Sequence, residues 1–341
     1  MKKSMKRKIQ SLFKRQVPFP IVIIVLPLAA CAAYLAGQQT VSPPASTAGT
    51  IHSPTEQIRL QNYEFARPLV LVGMRDEDPR LDTLKRNVAA YVGARIQEGV
   101  LQTASVYLRI GGSWAAINDQ ERYSPGSLLK LPLLIHFLKE SEKNPSILGR
   151  SLYFPSHFEV SRRPEIVEHP LEPGRSYRVE ELLRRMIVYS DNDATILLNN
   201  LAGPGADNDV YDALHLTRPD WTSTDYFLTV EEYSRFFRVL YNATYLEPPL
   251  SDYALRLLSE SSFRGGLVRP IDPAIKVAHK FGERGSNGVS EFHEMGIVYH
   301  GHQPYLLGVM TKGRDLAELQ NVVADISGIV YSGLSKSSIV F

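Results

Sequence analysis

The sequence predicts an α+β fold, an antiparallel sheet of about five strands packed by helices from both ends of the chain, beside an all-helical part. Three observations predict it. Two apolar runs joined by Gly111-Gly112 read as a hairpin early in the body. Three more strand-like runs come late in the chain. Between the two groups, from Ser124 to about Gly265, the apolar spacing is mostly helical.

Taken in order, the stretch from 55 to 78 is irregular, with a strand at Pro68–Val72. Asp78-Pro79 opens a helix to about Glu98, with Leu81, Leu84, Val88 and Tyr91 on one face. The hairpin strands are Ala104–Ile110 and Trp114–Asn118. Helices are expected at Pro125–Glu142, Val179–Tyr189, Asp193–Leu201, Val230–Asn242 and Asp252–Ser259. The late strands are Ile275–Phe281, Met295–Tyr299 and Tyr305–Met310, followed by a helix from Leu316 to Tyr331. A groove between the sheet and the helical part is where a site would lie.

The chain has 341 residues, 44% of them hydrophobic, and a net charge of +2. That average hides an asymmetry, because Lys2, Lys3, Lys6, Arg7, Lys8, Lys14 and Arg15 crowd the first 15 residues and no acid accompanies them. The body is therefore mildly acidic. No basic stripe with interleaved aromatics occurs, which excludes a nucleic-acid role.

Residues 1–16 read as a basic cytoplasmic tail and 17–37 as an apolar membrane segment, since about 20 apolar residues span a bilayer. The positive flank stays inside, which places the body outside the cytoplasm, attached to the cell membrane. Two other readings remain open. One is a cleaved signal peptide. The other is a lipoprotein, because Leu28-Ala29-Ala30-Cys31 resembles a lipidation signal and Cys31 is the single cysteine. Residues 38–75 form a linker and lead-in, rich in Ser, Thr, Pro, Gly and Ala up to Pro54. The domain proper is expected at 76–341, with its helical part at about 124–264.

Three short motifs carry chemistry. Ser127-Leu128-Leu129-Lys130 begins a helix whose neighbours are almost all apolar, so a lysine there is desolvated. Desolvation lowers a lysine's pKa and makes it a usable base for a serine hydroxyl. Ser124 is read as the N-cap, and the first turn offers Ser127 free backbone N–H groups. A second Ser-x-x-Lys, Ser11 to Lys14, lies in the basic tail and is read as chance. Ser190-Asp191-Asn192 joins two helices. Ser190 is read as a proton relay, Asn192 as an amide donor to substrate, and Asp191 as a buried orienter of the loop. Lys280-Phe281-Gly282 ends a strand, with Lys280 and Gly282 on one face. Lys280 supplies positive charge, and Gly282 lets a substrate backbone lie flat. Each motif alone has a bland reading: a snorkelling lysine, a helix cap, a solvated edge lysine. Their order describes a serine hydrolase that uses lysines in place of a histidine base. The nine histidines are scattered without a His-Glu-x-x-His pattern, and His300 and His302 flank a turn. No metal or other cofactor is expected.

These motifs and the element order resemble the penicillin-recognising serine hydrolases, and among them the class A β-lactamase-like domain. Tyr123 matches the family's aromatic lead-in. Glu283-Arg284-Gly285-Ser286 and Gly296-Ile297-Val298-Tyr299 fall where that family turns between its last strands. The resemblance implies acyl transfer through Ser127. It also implies an oxyanion hole from the backbone N–H groups of Ser127 and Glu283, of a kind worth about 3–4 kcal/mol. The chain departs from the family twice. No glutamate, the family's deacylation base, occurs between Asp191 and Val230, although Asp207, Asp209, Asp212, Asp220 and Asp225 do. Phe281 stands where a hydroxyl residue binds the substrate carboxylate, a task Arg284 would take over.

The expected protein is thus a membrane-anchored, monomeric serine acyl hydrolase. It acts on peptidoglycan peptides or β-lactams and is slow to deacylate the latter. A working β-lactamase with another deacylation base is the second reading, and a silent cell-wall-peptide-binding domain the third.

Overall fold

The computed structural model describes residues 55–61, 68–159, 170–220, 226–286, 288–301 and 303–336. The basic tail, the apolar run, Cys31 and the linker to Pro54 lie outside the described residues, as do Asp225 and His302. Among the described residues no helix is long and apolar enough to cross a membrane.

The central sheet is antiparallel, in the order β4-β3-β9-β8-β7. Its strands are β3 (Leu101–Ile110), β4 (Ser113–Ile117), β7 (Val277–Ser286), β8 (Val289–Val298) and β9 (Tyr305–Gly313). The β3–β4 turn is the expected Gly111-Gly112, and Gly111 adopts φ +55°, a conformation glycine takes without strain. One face of the sheet, with Val106, Leu108, Phe292 and Val309, packs on α1 (Asp82–Gln97) and the terminal α8 (Leu316–Lys336). The other face, with Tyr107, Met295, Ile297 and Met310, packs on the helical part.

That helical part is built around α2 (Lys130–Lys143), whose Leu131, Leu134, Ile135, Phe137 and Leu138 are all buried. A helix apolar on every side must be enclosed. Around it lie α3 (Val179–Val188), α4 (Asn192–Ala202), the short α5 (Asn208–Ala213), α6 (Val230–Tyr241) and α7 (Pro248–Ser259). Helix α6 starts at a capping box: Glu232 N–H donates to Thr229 Oγ1 at 3.1 Å, and Thr229 N–H to Glu232 Oε2 at 2.9 Å.

Two small hairpins went unread in the sequence. β1 (Thr55–Arg59) pairs with β2 (Leu69–Met74), the strand expected at Pro68–Val72, so only the first strand of this pair and the pairing itself were missed. β5 (Ser151–Phe154) pairs with β6 (Arg175–Arg178) ahead of α3. Three further corrections concern boundaries. The helix expected from Asp78 begins as a 3₁₀ turn at Pro79–Leu81, with Asp78 as its cap. The turn expected at Glu283–Ser286 is strand, because β7 runs on to Ser286 against β8. Gly296 to Val298 likewise belong to β8, paired with β9.

Candidate active site

The serine motif sits on a 3₁₀ turn, Gly126–Leu129, that leads into α2 at Lys130. Ser124 is not its cap; Pro125 takes that position. Tyr123 instead bridges to Leu228, with N–H···O distances of 2.9 and 3.0 Å in the two directions, and so fixes the entry to the turn. Two glycines let the turn press on β7. Gly126 has φ +54°, and a Cβ there would lie 2.5 Å from the Glu283 carbonyl oxygen. A Cβ on Gly282 would lie 2.4 Å from the Pro125 carbonyl oxygen and 2.8 Å from the Leu128 nitrogen. Gly282 therefore serves contact between backbone segments of this chain. Ser127 itself is partly exposed.

Ser190 lies between two lysines. Lys130, 4% exposed, donates from Nζ to Ser190 Oγ at 3.0 Å, to the Ser190 carbonyl at 2.5 Å and to Asn192 Oδ1 at 2.7 Å. Lys280, fully buried, reaches Ser190 Oγ at 3.0 Å and the Phe281 carbonyl at 2.8 Å. Ser190 holds φ +54°, a costly conformation for a residue with a side chain. Asp191 fixes it there. It is buried, caps α4, and accepts from Ala194 N–H at 3.1 Å. Burial raises its pKa. Asp193, in the first turn of this helix, holds the 157–158 loop through His157 at 2.7 Å and Phe158 N–H at 3.0 Å.

The sequence reading put Lys280 at the end of a strand as a source of positive charge. It lies instead within β7, and burial, then the charge of Lys130, lower its pKa well below the ordinary lysine value. Two ammonium groups on one hydroxyl oxygen would repel, and this repulsion adds to burial in favouring the neutral amine at Lys280.

Two side chains that the sequence reading did not single out, Glu291 and His293, hold the backbone of Ser124. Glu291 Oε2 accepts from its N–H at 2.8 Å. His293 Nε2 donates to its carbonyl at 3.0 Å, while His293 Nδ1 accepts from Thr311 N–H at 3.3 Å. That second bond fixes the tautomer with the proton on Nε2. Arg284 donates to Ser124 Oγ, so its guanidinium is engaged by the serine turn. Burial raises the Glu291 pKa, but His293 and the Ser124 N–H outweigh it and hold the carboxyl below its ordinary value. Glu291 and His293 share a face of β8 by period-two alternation. That alternation was the available signal, hidden because the sequence placed the start of this strand at Met295.

The geometry thus joins Lys130, Ser190, Asn192 and Lys280 directly, and places Ser127, Gly282, Glu283 and Arg284 along the contact between the serine turn and β7. Of the aspartates after the Ser-Asp-Asn motif, Asp207 is buried, and that burial raises its pKa to about 6. It lines a cleft of about 350 Å³ together with Leu133 of α2. Among the described residues no cluster of three or more His, Cys, Asp or Glu side chains is arranged to hold a metal.

Residues 83–334 match the sequence model of the beta-lactamase enzyme family. Among solved structures the chain is similar to PBP-A, with 20% identity, TM-score 0.63, and coverage of 76% of this chain and 98% of that one. A PBP-A mutant in an acyl-enzyme complex with penicillin G gives 20% identity, TM-score 0.64, and coverage of 75% and 98%. A β-lactamase from Sphaerobacter thermophilus DSM 20745 gives 22% identity, TM-score 0.63, and coverage of 74% and 99%. At such identities the likeness speaks for the fold. No curated protein matches the sequence.

Proposed function

The chain belongs to the beta-lactamase enzyme family and is a serine hydrolase, and we propose that Ser127 is its nucleophile, forming an acyl-enzyme with peptidoglycan peptides or β-lactams. The observation that carries this reading is Ser190 Oγ held 3.0 Å from both Lys130 and Lys280. A binding module has no use for two desolvated amines on one hydroxyl. Ser127 Oγ attacks the carbonyl and passes its proton to the lysine pair. Ser190 relays that proton to the leaving nitrogen. The backbone N–H groups of Ser127 and Glu283 receive the oxyanion, an interaction worth about 3–4 kcal/mol of barrier. With its carbonyl turned to Lys130, Asn192 keeps its NH₂ for a substrate amide. Arg284, two residues beyond Gly282, is the candidate for the substrate carboxylate, a role in which its guanidinium would have to exchange its bond to Ser124 Oγ for the substrate.

Deacylation is the slow step in this reading. The usual glutamate is absent, and general-base help is worth roughly 10²–10⁴-fold. A chromogenic cephalosporin should therefore give a burst of one equivalent followed by slow turnover, with no burst in Ser127→Ala. A second reading has an aspartate as the deacylation base, and its candidate is Asp207, which is buried and shares its cleft with Leu133 of the helix that follows the serine turn. Fast turnover in the wild type that collapses to a burst in Asp207→Asn would establish that reading in place of ours.

We further propose that the apolar run of 17–37 anchors a monomeric enzyme outside the cytoplasm. The support is the run's length and its basic flank. Membrane-bound, full-length protein in cell fractions is expected. A mature chain beginning at lipidated Cys31, or a soluble product, would contradict an uncleaved anchor.

A further inference from the structure

The β1–β2 hairpin precedes the family match, which begins at residue 83. With β3, β4 and α6 it encloses a cleft of about 150 Å³. Arg75, Arg109, Arg235 and Arg238 line this cleft, against the two carboxylates Glu56 and Glu231. Glu231 is already engaged, by Arg235 at 3.0 Å and Arg238 at 3.5 Å. Among the described residues neither Arg75 nor Arg109 forms an ion pair, so the cleft carries excess positive charge.

Arg238 is the central cation. Its side chain is 10% exposed, and its buried Nε–H has no hydrogen-bond partner among the described residues. Burial, and the nearby charges of Arg109 and Arg235, push its pKa down. A buried guanidinium with an unmet donor is costly unless an anion completes it. Apolar side chains complete the lining. Tyr107 and Trp114 stack with centroids 6.0 Å apart, and Ile58 and Leu71 close the side. The sequence builds this arrangement regularly: Tyr107 and Arg109 alternate on β3, Trp114 pairs with Arg109, and Glu231, Arg235 and Arg238 follow helical spacing on α6.

We propose that this cleft is a binding site for a small organic carboxylate with an apolar body, separate from the Ser127 site. A guanidinium fork matches a carboxylate through two parallel hydrogen bonds. A cavity of about 150 Å³ holds a benzene-sized guest, which sets the size of the body. The competing explanation is that the arginines only pin the hairpin, since Arg238 donates to the Val72 carbonyl at 3.1 Å and Arg109 does so at 3.4 Å.

Benzoate, benzamide and inorganic phosphate titrated into the full chain separate the two. Binding is read by calorimetry and by tryptophan fluorescence, to which Trp114 should respond. Benzoate is expected to bind one site, benzamide not at all and phosphate more weakly. Arg109→Gln and Arg75→Gln should each weaken benzoate about tenfold or more, the loss of one charge-assisted hydrogen bond. Glu231→Gln should tighten it, and Trp114→Phe should abolish the fluorescence change. Arg75 is exposed at the rim, so its variant stays informative even if Arg109→Gln disturbs the hairpin. Lys280→Met should leave benzoate affinity unchanged. The proposal is overturned by absence of benzoate binding, by equal affinity in both arginine variants, by phosphate binding as tightly as benzoate, or by loss of binding in Lys280→Met.

Discussion

Lys280 shows how the site trades stability for chemistry. Its amine is fully buried, and burial lowers its pKa well below the 10.5 it has in an unfolded chain. Between the lowered value and 10.5 the unfolded chain binds more protons than the folded one. Stability gained from this group therefore rises with pH through that window, is complete above 10.5, and is lost as pH falls through the folded value. Lys280→Met removes the titration. Its stability relative to wild type should be highest near neutrality and decline as the pH is raised toward 10, the ordinary lysine range. Urea unfolding at several pH values measures this. Parallel curves for the two proteins would show that Lys280 is not desolvated as described. The burial of Lys280 could not be read from the sequence, because its partner Ser190 is 90 positions away. Alternation alone placed it correctly beside Gly282 and left its solvation open.

At the scale of elements, β8 works as a brace for the serine turn. Glu291 and His293 grip both backbone polar groups of Ser124, three residues before Ser127. His293→Ala would remove the donor to the buried Ser124 carbonyl, at about 1–3 kcal/mol for such a group. Acylation by a penicillin should slow with it, since the turn that carries Ser127 loosens. His293→Gln can donate and accept at similar positions and should recover part of the rate. Stopped-flow acylation beside thermal unfolding separates the effects: a destabilised His293→Ala that still acylates at the wild-type rate would make this contact structural only.

Most strands of the central sheet and the main helices were legible because their apolar spacing is regular and their turns carry glycine or proline, whereas the strand order was not. β1, β5 and β6 were not, since Thr55–Arg59 and Arg175–Arg178 are short and largely polar, and Ser151–Phe154 is only four residues long. Pairing across the hairpin makes them strands, not their own propensity. The extension of β7 through Glu283-Arg284-Gly285-Ser286 has the same origin, in ladder bonds supplied by β8.

For the whole molecule, the sheet and the helical part both contribute to the site. β7 brings Lys280 and Gly282, while the helical part brings Ser127, Lys130, Ser190 and Asn192. The motifs were legible in the sequence because their order along the chain is distinctive. The Ser124 brace and the arginine cleft were not, because both depend on segments far apart in sequence. The most direct test of the account is intact mass after incubation with a penicillin, followed over time. One equivalent of added mass, mapped to Ser127, absent in Ser127→Ala and persisting for minutes or longer, is the expected result. Equal labelling of wild type and Ser127→Ala, or no labelling of either, would contradict the assignment of Ser127 as the nucleophile.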